Sequence, residues 1–140
     1  MPQDTPAAAL ASAPRCVFVY GTLRRGGSND ITHLHPAPRL VGAAQVAGVL
    51  YHLGAYPGMT LGGTQWVQGE VYAITSALER VLDGIEDLVG PHPSDEYTKC
   101  EVSVHVAGQA QALSCLVYAV NPRCVLSAPQ IVHGDWLGTG

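Results

Sequence analysis

The sequence predicts an α+β domain, with five extended segments around a single convincing helix. Three observations carry that reading. Cys16 to Tyr20 is an unbroken apolar, β-branched and aromatic run that stops at Gly21, the pattern of a strand buried on both faces. Residues 97–106 alternate apolar with polar side chains, as a half-buried strand with a wet outer face does. Only the stretch beginning at Ser76 carries a helical period. With 140 residues, 47% of them apolar, the chain has the material for one domain with a real core. A net charge of −4 argues against general affinity for nucleic acid, which needs a basic surface. No apolar run approaches the roughly 18 residues that a membrane span requires.

Residues 1–14 are rich in alanine and proline and carry no pattern that packs, so a disordered tail is expected there, with one domain over 15–140. The run Ala7 to Ala13 has some likeness to the end of a signal peptide. It has no basic start and sits behind Asp4 and Pro6, and a cytoplasmic location is the expectation.

The first strand ends at Gly21, where a glycine lets the backbone turn sharply and a ligand approach closely. Successive N–H groups in such a turn can converge on an anion, and Arg24 and Arg25 are expected to add positive potential at the same mouth. The other reading is a plain strand followed by a surface loop. His33 and His35 further along have no third ligand at a supporting spacing, so a solvated loop without metal is expected.

Residues 40–53 read as extended, with Gly42, Ala43, Ala44, Ala47 and Gly48 leaving room for a bend. Tyr56-Pro57-Gly58 signals a turn. Trp66 to Ile74 reads as a strand with Glu70 in its middle. Ser76 and Glu79 form a capping-box pattern, and Leu78, Val81, Leu82 and Ile85 give the following helix one apolar face. Pro91 and Pro93 forbid its continuation. After the strand of residues 97–106, Ala107-Gly108 reads as a two-residue hairpin loop leading into a strand over residues 109–120. That register sets Val106 against Gln109 and Cys100 against Cys115. Without an export signal these two thiols are expected to be adjacent, buried and free. The four cysteines show no C-x-x-C pairing, so neither zinc nor dithiol redox chemistry is expected. Trp136 is expected to pack a closing turn.

Two carboxylates stand out. Glu86 falls at the border of the helix's apolar face and in its last turn, where partial burial and the helix dipole both raise a carboxylate's pKa. That placement fits a general base, and equally a half-exposed surface glutamate. Glu70 is the rival base, or a structural hydrogen-bond partner. Asp83 and Asp87 read as surface charges.

Val19-Tyr20-Gly21-Thr22-Leu23-Arg24, Tyr56-Pro57-Gly58, Val67-Gln68-Gly69-Glu70-Val71-Tyr72, Leu82-Asp83-Gly84-Ile85-Glu86, Tyr97, Val117-Tyr118 and Gly134-Asp135-Trp136 occur in that order. The ordered set resembles the gamma-glutamylcyclotransferase superfamily, in its small bacterial and plant-like branch, over Val17 to Trp136. The resemblance implies a small mixed β-barrel flanked by short helices, and conversion of a gamma-glutamyl amine or peptide to 5-oxoproline without a cofactor. It implies that Tyr20, Gly21, Thr22 and Leu23 bind the glutamyl moiety and that Glu86 accepts the proton, with Tyr97, Tyr118 and Glu70 as accessory candidates. Two positions depart from the family's pattern: Lys99 stands where an arginine is common, and Asp87 where a glycine is common. A module that binds a small carboxylate in the same cavity without turnover is the alternative.

Overall fold

The computed structural model describes residues 15–85 and 96–137. The expected tail over 1–14 and the residues Glu86 and Asp87 lie outside the described residues. The strands are β1 (Arg15–Val19), β2 (Arg39–His52), β3 (Pro57–Ile74), β4 (Tyr97–Val104) and β5 (Leu113–Val120), with helix α1 (Ser76–Ile85) between β3 and β4. They form one mixed sheet in the order β2-β3-β1-β5-β4. Only β1 and β5 run parallel.

The α+β class and the mixed sheet match the sequence reading, but "barrel" is a loose word for this sheet. Its outer strands are not joined by a ladder. They approach through a single antiparallel bridge between Ala44 and Val106, beside which the Ala107 N–H donates to Ala43 O at 3.0 Å.

The central position of β1 follows from its composition. Phe18 and Tyr20 enter an apolar cluster with Leu50, Met59, Val67, Val71 and Val117. Val17 and Val19 enter a second cluster on the opposite face, with Ile31, Tyr72, Leu78, Leu82 and Tyr118. A strand buried on both faces needs apolar side chains at odd and even positions alike.

The structure changes several local readings. Strand β3 begins at Pro57 rather than Trp66, and the turn lies just before it, where the Leu53 N–H donates to Tyr56 O at 3.0 Å. Residues 62–65 bulge from the ladder between the pairs Gly48–Leu61 and Ala47–Trp66. Gly62 and Gly63 make that excursion at φ 91° and 94°, where a side chain would strain the backbone.

In β4 and β5 the partners are Cys100–Val117 and Val102–Cys115, two residues away from the expected register. A turn does form at Ala107-Gly108, with Gln109 N–H donating to Val106 O. Val106 and Ala107 are drawn to β2, however, so the β4–β5 ladder starts only at Val104–Leu113. A shift of two keeps every side chain on its predicted face. The thiol beside Cys115 is therefore Cys16 of β1, not Cys100.

Helix α1 also differs. The Thr75 hydroxyl caps it by accepting from Leu78 N–H at 3.1 Å. Glu79 does not complete a capping box; it turns inward, 8% exposed, while Val81 and Ile85 stay 38% and 37% exposed. The inward face is thus Leu78, Glu79, Leu82 and Asp83. Two carboxylates sit on it because the sheet supplies cations: Lys99 Nζ lies 2.6 Å from Glu79 Oε2 and 3.0 Å from Asp83 Oδ2, and Arg15 lies 3.3 Å from Glu79. Burial alone would lower the pKa of Lys99, but its hydrogen bonds to Glu79 and Asp83 outweigh that and hold it above the ordinary lysine value. Asp83 is no surface charge, since Tyr118 also donates its hydroxyl to it at 2.7 Å.

Candidate active site

The parallel ladder between β1 and β5 pairs Cys16 with Cys115 and Val17 with Leu116. Beyond it, the carboxyl ends of the two strands border a cavity of about 290 Å³. Phe18, Val19 and Tyr20 of β1 and its extension line it with Tyr118, as do the turn Gly21, Thr22, Leu23 and the residues Asn29, Tyr56, Pro57, Glu96 and Tyr97. Ile85, the last described residue of α1, also lines it, and Glu86 follows Ile85 directly in sequence.

The turn is built with its carbonyls occupied. Gly21 O accepts from Arg24 N–H at 3.0 Å, Thr22 O from Asn29 N–H at 2.8 Å, and Leu23 O from Ile31 N–H at 2.9 Å. Among the described residues nothing accepts from the N–H groups of Gly21, Thr22 or Leu23. Successive backbone N–H groups of this kind, beside a cavity, are able to converge on an anion. Gly21 is required there by close approach, because a Cβ would stand 2.6 Å from Pro57 Cγ.

The loop that follows is pinned by Asp30. Its carboxylate accepts from Gly26 N–H at 2.8 Å, Thr32 N–H at 2.9 Å and Thr32 Oγ1 at 2.6 Å. The bond from Gly26, then that from the Thr32 hydroxyl, hold its pKa down at about 2.

The candidate residues separate into two groups. Tyr20, Gly21, Thr22, Leu23, Tyr97 and Tyr118 come together around the cavity. The tyrosines have structural duties there. Tyr20 donates to Tyr118 O at 2.6 Å and accepts from Met59 N–H, and Tyr97 donates to Pro57 O at 2.7 Å. Glu70 is not on the wall. Its oxygens accept from Arg24 Nε at 2.6 Å and Arg25 N–H at 3.1 Å, with the Tyr72 hydroxyl at 3.4 Å. Burial first, and then the Glu70 charge, push the Tyr72 hydroxyl up to about 12.

Arg24 does not serve the mouth either. It is held between Glu70 and Asp135, 2.6 Å from each. Glu96 is a cavity residue that sequence reasoning missed, since a lone glutamate before a strand carries no periodic signal. His33, the last residue of a short 3-10 helix (Ile31–His33), and His35 in the loop after it are both exposed. No helix among the described residues is long and apolar enough to cross a membrane.

This arrangement has known counterparts. The structure of an AIG2-like protein from mouse superposes with a TM-score of 0.72 at 25% identity, covering 91% of each chain. A Vibrio cholerae protein named "Putative gamma-glutamylcyclotransferase" is 46% identical over 74 residues, 51% of this chain and 62% of its own. The gamma-L-glutamyl-butirosin B gamma-glutamyl cyclotransferase of Niallia circulans is 34% identical over 94 residues, 66% of this chain and 59% of its own. The matched part thus spans less than two thirds of the length of either curated relative. Residues 17–138 match the family model described as gamma-glutamyl cyclotransferase, AIG2-like, and the chain belongs to that family.

Proposed function

We propose that this protein closes the gamma-glutamyl group of a small gamma-glutamyl amine or peptide into 5-oxoproline, releasing the free amine. The observation that carries the reading is the cavity itself. Its lining includes both the turn Gly21, Thr22, Leu23, whose N–H groups meet no acceptor among the described residues, and Ile85, one residue before Glu86 in sequence. In this reading the α-carboxylate of the substrate is held by the Gly21–Leu23 amides, which fixes the α-amine near the γ-carbonyl carbon.

The α-amine attacks in its neutral form, the ammonium proton having gone to solvent. As its nitrogen bonds to the γ-carbonyl carbon and closes the five-membered ring, Glu86 takes the extra proton from that nitrogen, and the bond to the leaving nitrogen breaks. The proton taken by Glu86 passes to that leaving nitrogen, so atoms and charge balance without a metal or a protein nucleophile. Four free thiols fit a reducing, cytoplasmic setting.

The test is 5-oxoproline release from a panel of gamma-glutamyl amines and peptides by wild type and Glu86→Gln. Loss of about 10²-fold or more, the usual weight of a general base, is expected with the fold and 5-oxoproline binding retained. Wild-type rates in the mutant would remove Glu86 from the mechanism. Binding of 5-oxoproline with no turnover of any substrate would leave a carboxylate-binding module instead.

A further inference from the structure

We propose that Asp83 is a positioning residue, which holds two cavity-lining residues, Tyr118 and Ile85, in place. The inference rests on the cyclotransferase reading for what the cavity does, and on separate contacts for how the cavity is held. Tyr118 and Ile85 line the cavity, and Asp83 does not.

The hold on Asp83 comes from a cross-strand pair. Lys99 of β4 and Tyr118 of β5 stand directly opposite each other in the ladder. Both reach the same carboxylate on α1. The Tyr118 hydroxyl donates to Asp83 Oδ1 at 2.7 Å, and Lys99 Nζ lies 3.1 and 3.0 Å from Asp83 Oδ1 and Oδ2. Bonds to an ionised carboxylate are stronger than neutral ones, so this junction ties α1 to the two strands. Tyr118 carries the tie further, because its carbonyl accepts from the Tyr20 hydroxyl at 2.6 Å.

The junction falls where α1 has little else to hold it. Val81 and Ile85 are exposed, and a Cβ at Gly84 would meet nothing within 4 Å. Among the described residues of the last turn, Leu82 and Asp83 are therefore the ones turned to the sheet. The turn of residues 21–23 is held differently. Its carbonyls accept from Arg24, Asn29 and Ile31, and Arg24 is paired with Glu70 and Asp135, none of them on α1. Loss of Asp83 should thus loosen Tyr118 and the end of α1 while the turn stays set. Misplacement by about 1 Å can cost about 10²-fold in rate, so such loosening would fall on turnover more than on binding.

The test compares D83A, Y118F, the double variant and E79Q with wild type. Glu79 shares Lys99 with Asp83 but bonds no cavity residue among the described ones, so E79Q perturbs the same charge network without the tie. In D83A, kcat for the best gamma-glutamyl substrate should fall about tenfold or more, with the Kd for 5-oxoproline changed less than about twofold. Y118F, which deletes one hydroxyl, should lower kcat in the same direction, and carries the test should D83A fail to fold. The double variant should lose less than the product of the two single losses, because the two groups act as one. E79Q should keep wild-type kcat. Wild-type kcat in both D83A and Y118F, or an equal loss in E79Q, overturns the inference.

A readout without turnover separates the inference from the reading on which it rests. By NMR relaxation, the methyl groups of Ile85 and the ring of Tyr118 should become more mobile in Y118F and D83A where each group is present, while the amides of Gly21 to Leu23 keep their order. An unchanged Ile85 overturns the positioning role whatever the activity. Failure of wild type to turn over any gamma-glutamyl substrate would sink the cyclotransferase, and a loosened Ile85 would still establish what Asp83 holds.

Discussion

Nε of Arg24 lies 2.6 Å from Oε2 of Glu70, and neither residue belongs to the cavity wall that the turn of residues 21–23 helps to form. The same guanidinium reaches Asp135 at 2.6 Å, so a cation 14% exposed ties the turn to β3 and to the C-terminal segment at once. Removing a partner from a largely buried ion pair leaves an uncompensated charge, at a cost of about 3–5 kcal/mol when burial is complete. Arg24→Ala should therefore lower stability by about 2–4 kcal/mol, somewhat less because Asp135 is partly solvated. Urea denaturation measures the loss. Amide hydrogen exchange should speed up at Gly21 to Leu23 more than at Val71, and equal changes at both would mean that Arg24 does not hold the turn.

Gly21→Ala tests the close approach directly. The added methyl would sit 2.6 and 2.9 Å from Pro57 Cγ and Cδ, atoms of a ring that cannot swing aside. Overpacking of this kind costs about 1–3 kcal/mol. The expected result is that loss in chemical denaturation, together with weaker binding of 5-oxoproline. An unperturbed variant would show that the Pro57 strand yields easily.

Lys99→Met removes the charge that neutralises two inward carboxylates on α1 while keeping the length of the side chain. The loss should fall between the roughly 1 kcal/mol of exposed pairs and the 3–5 kcal/mol of buried ones. Because Lys99 titrates above its ordinary value in the folded protein, its contribution is complete below that ordinary value and fades only as the pH climbs past the folded one. The stability gap between mutant and wild type should thus be full at neutral pH and close at strongly alkaline pH. A constant gap would contradict the assignment.

Asp30 sets the acid limb. Its pKa of about 2 lies below the ordinary 3.8, so its contribution is present above pH 3.8 and is lost as the pH falls toward 2. Asp30→Asn should flatten the fall in stability over that window. An identical acid limb in mutant and wild type would show that other groups control it.

The thiols separate by reactivity. Burial, and after it the neighbouring Cys16, push the Cys115 thiol up to about 12. Protein denatured without reductant should titrate four thiols. In the native protein Cys115 should stay silent toward a thiol reagent at neutral pH, since the thiolate is the reactive form. Prompt labelling of Cys115 would refute its burial.

Much of this was legible in the residues. The buried β1, its stop at Gly21 and the gathering of Tyr20 to Leu23 with Tyr97 and Tyr118 followed from local pattern and ordered motifs. The β4–β5 register did not, because Val106 answers to β2, a partner that no short-range turn signal reveals. The inward turn of Glu79 and Asp83 escaped for a related reason. A helical wheel places carboxylates by their own polarity, and only the sheet shows that Lys99, Arg15 and Tyr118 are waiting for them. Glu70 was readable as a carboxylate in an unusual place, but its engagement with Arg24 depends on a contact 46 residues away in sequence.

The docking of the C-terminal segment has a consequence for the order in which the molecule assembles. Ile131 N–H donates to Leu50 O, Gln68 N–H donates to Gly134 O, and Asp135 grips Arg24. The turn made by the first strand is therefore finished by residues synthesised more than a hundred positions later. While the chain is still emerging from the ribosome, the sheet has most of its partners before the turn of residues 21–23 has its anchor. Such late, distant closure is the slow kind of contact to form. Chains released before residue 134 should accordingly keep protected amides in β1 and β3 but exchange freely at Gly21 to Leu23, and protection there in the truncated chain would refute this order.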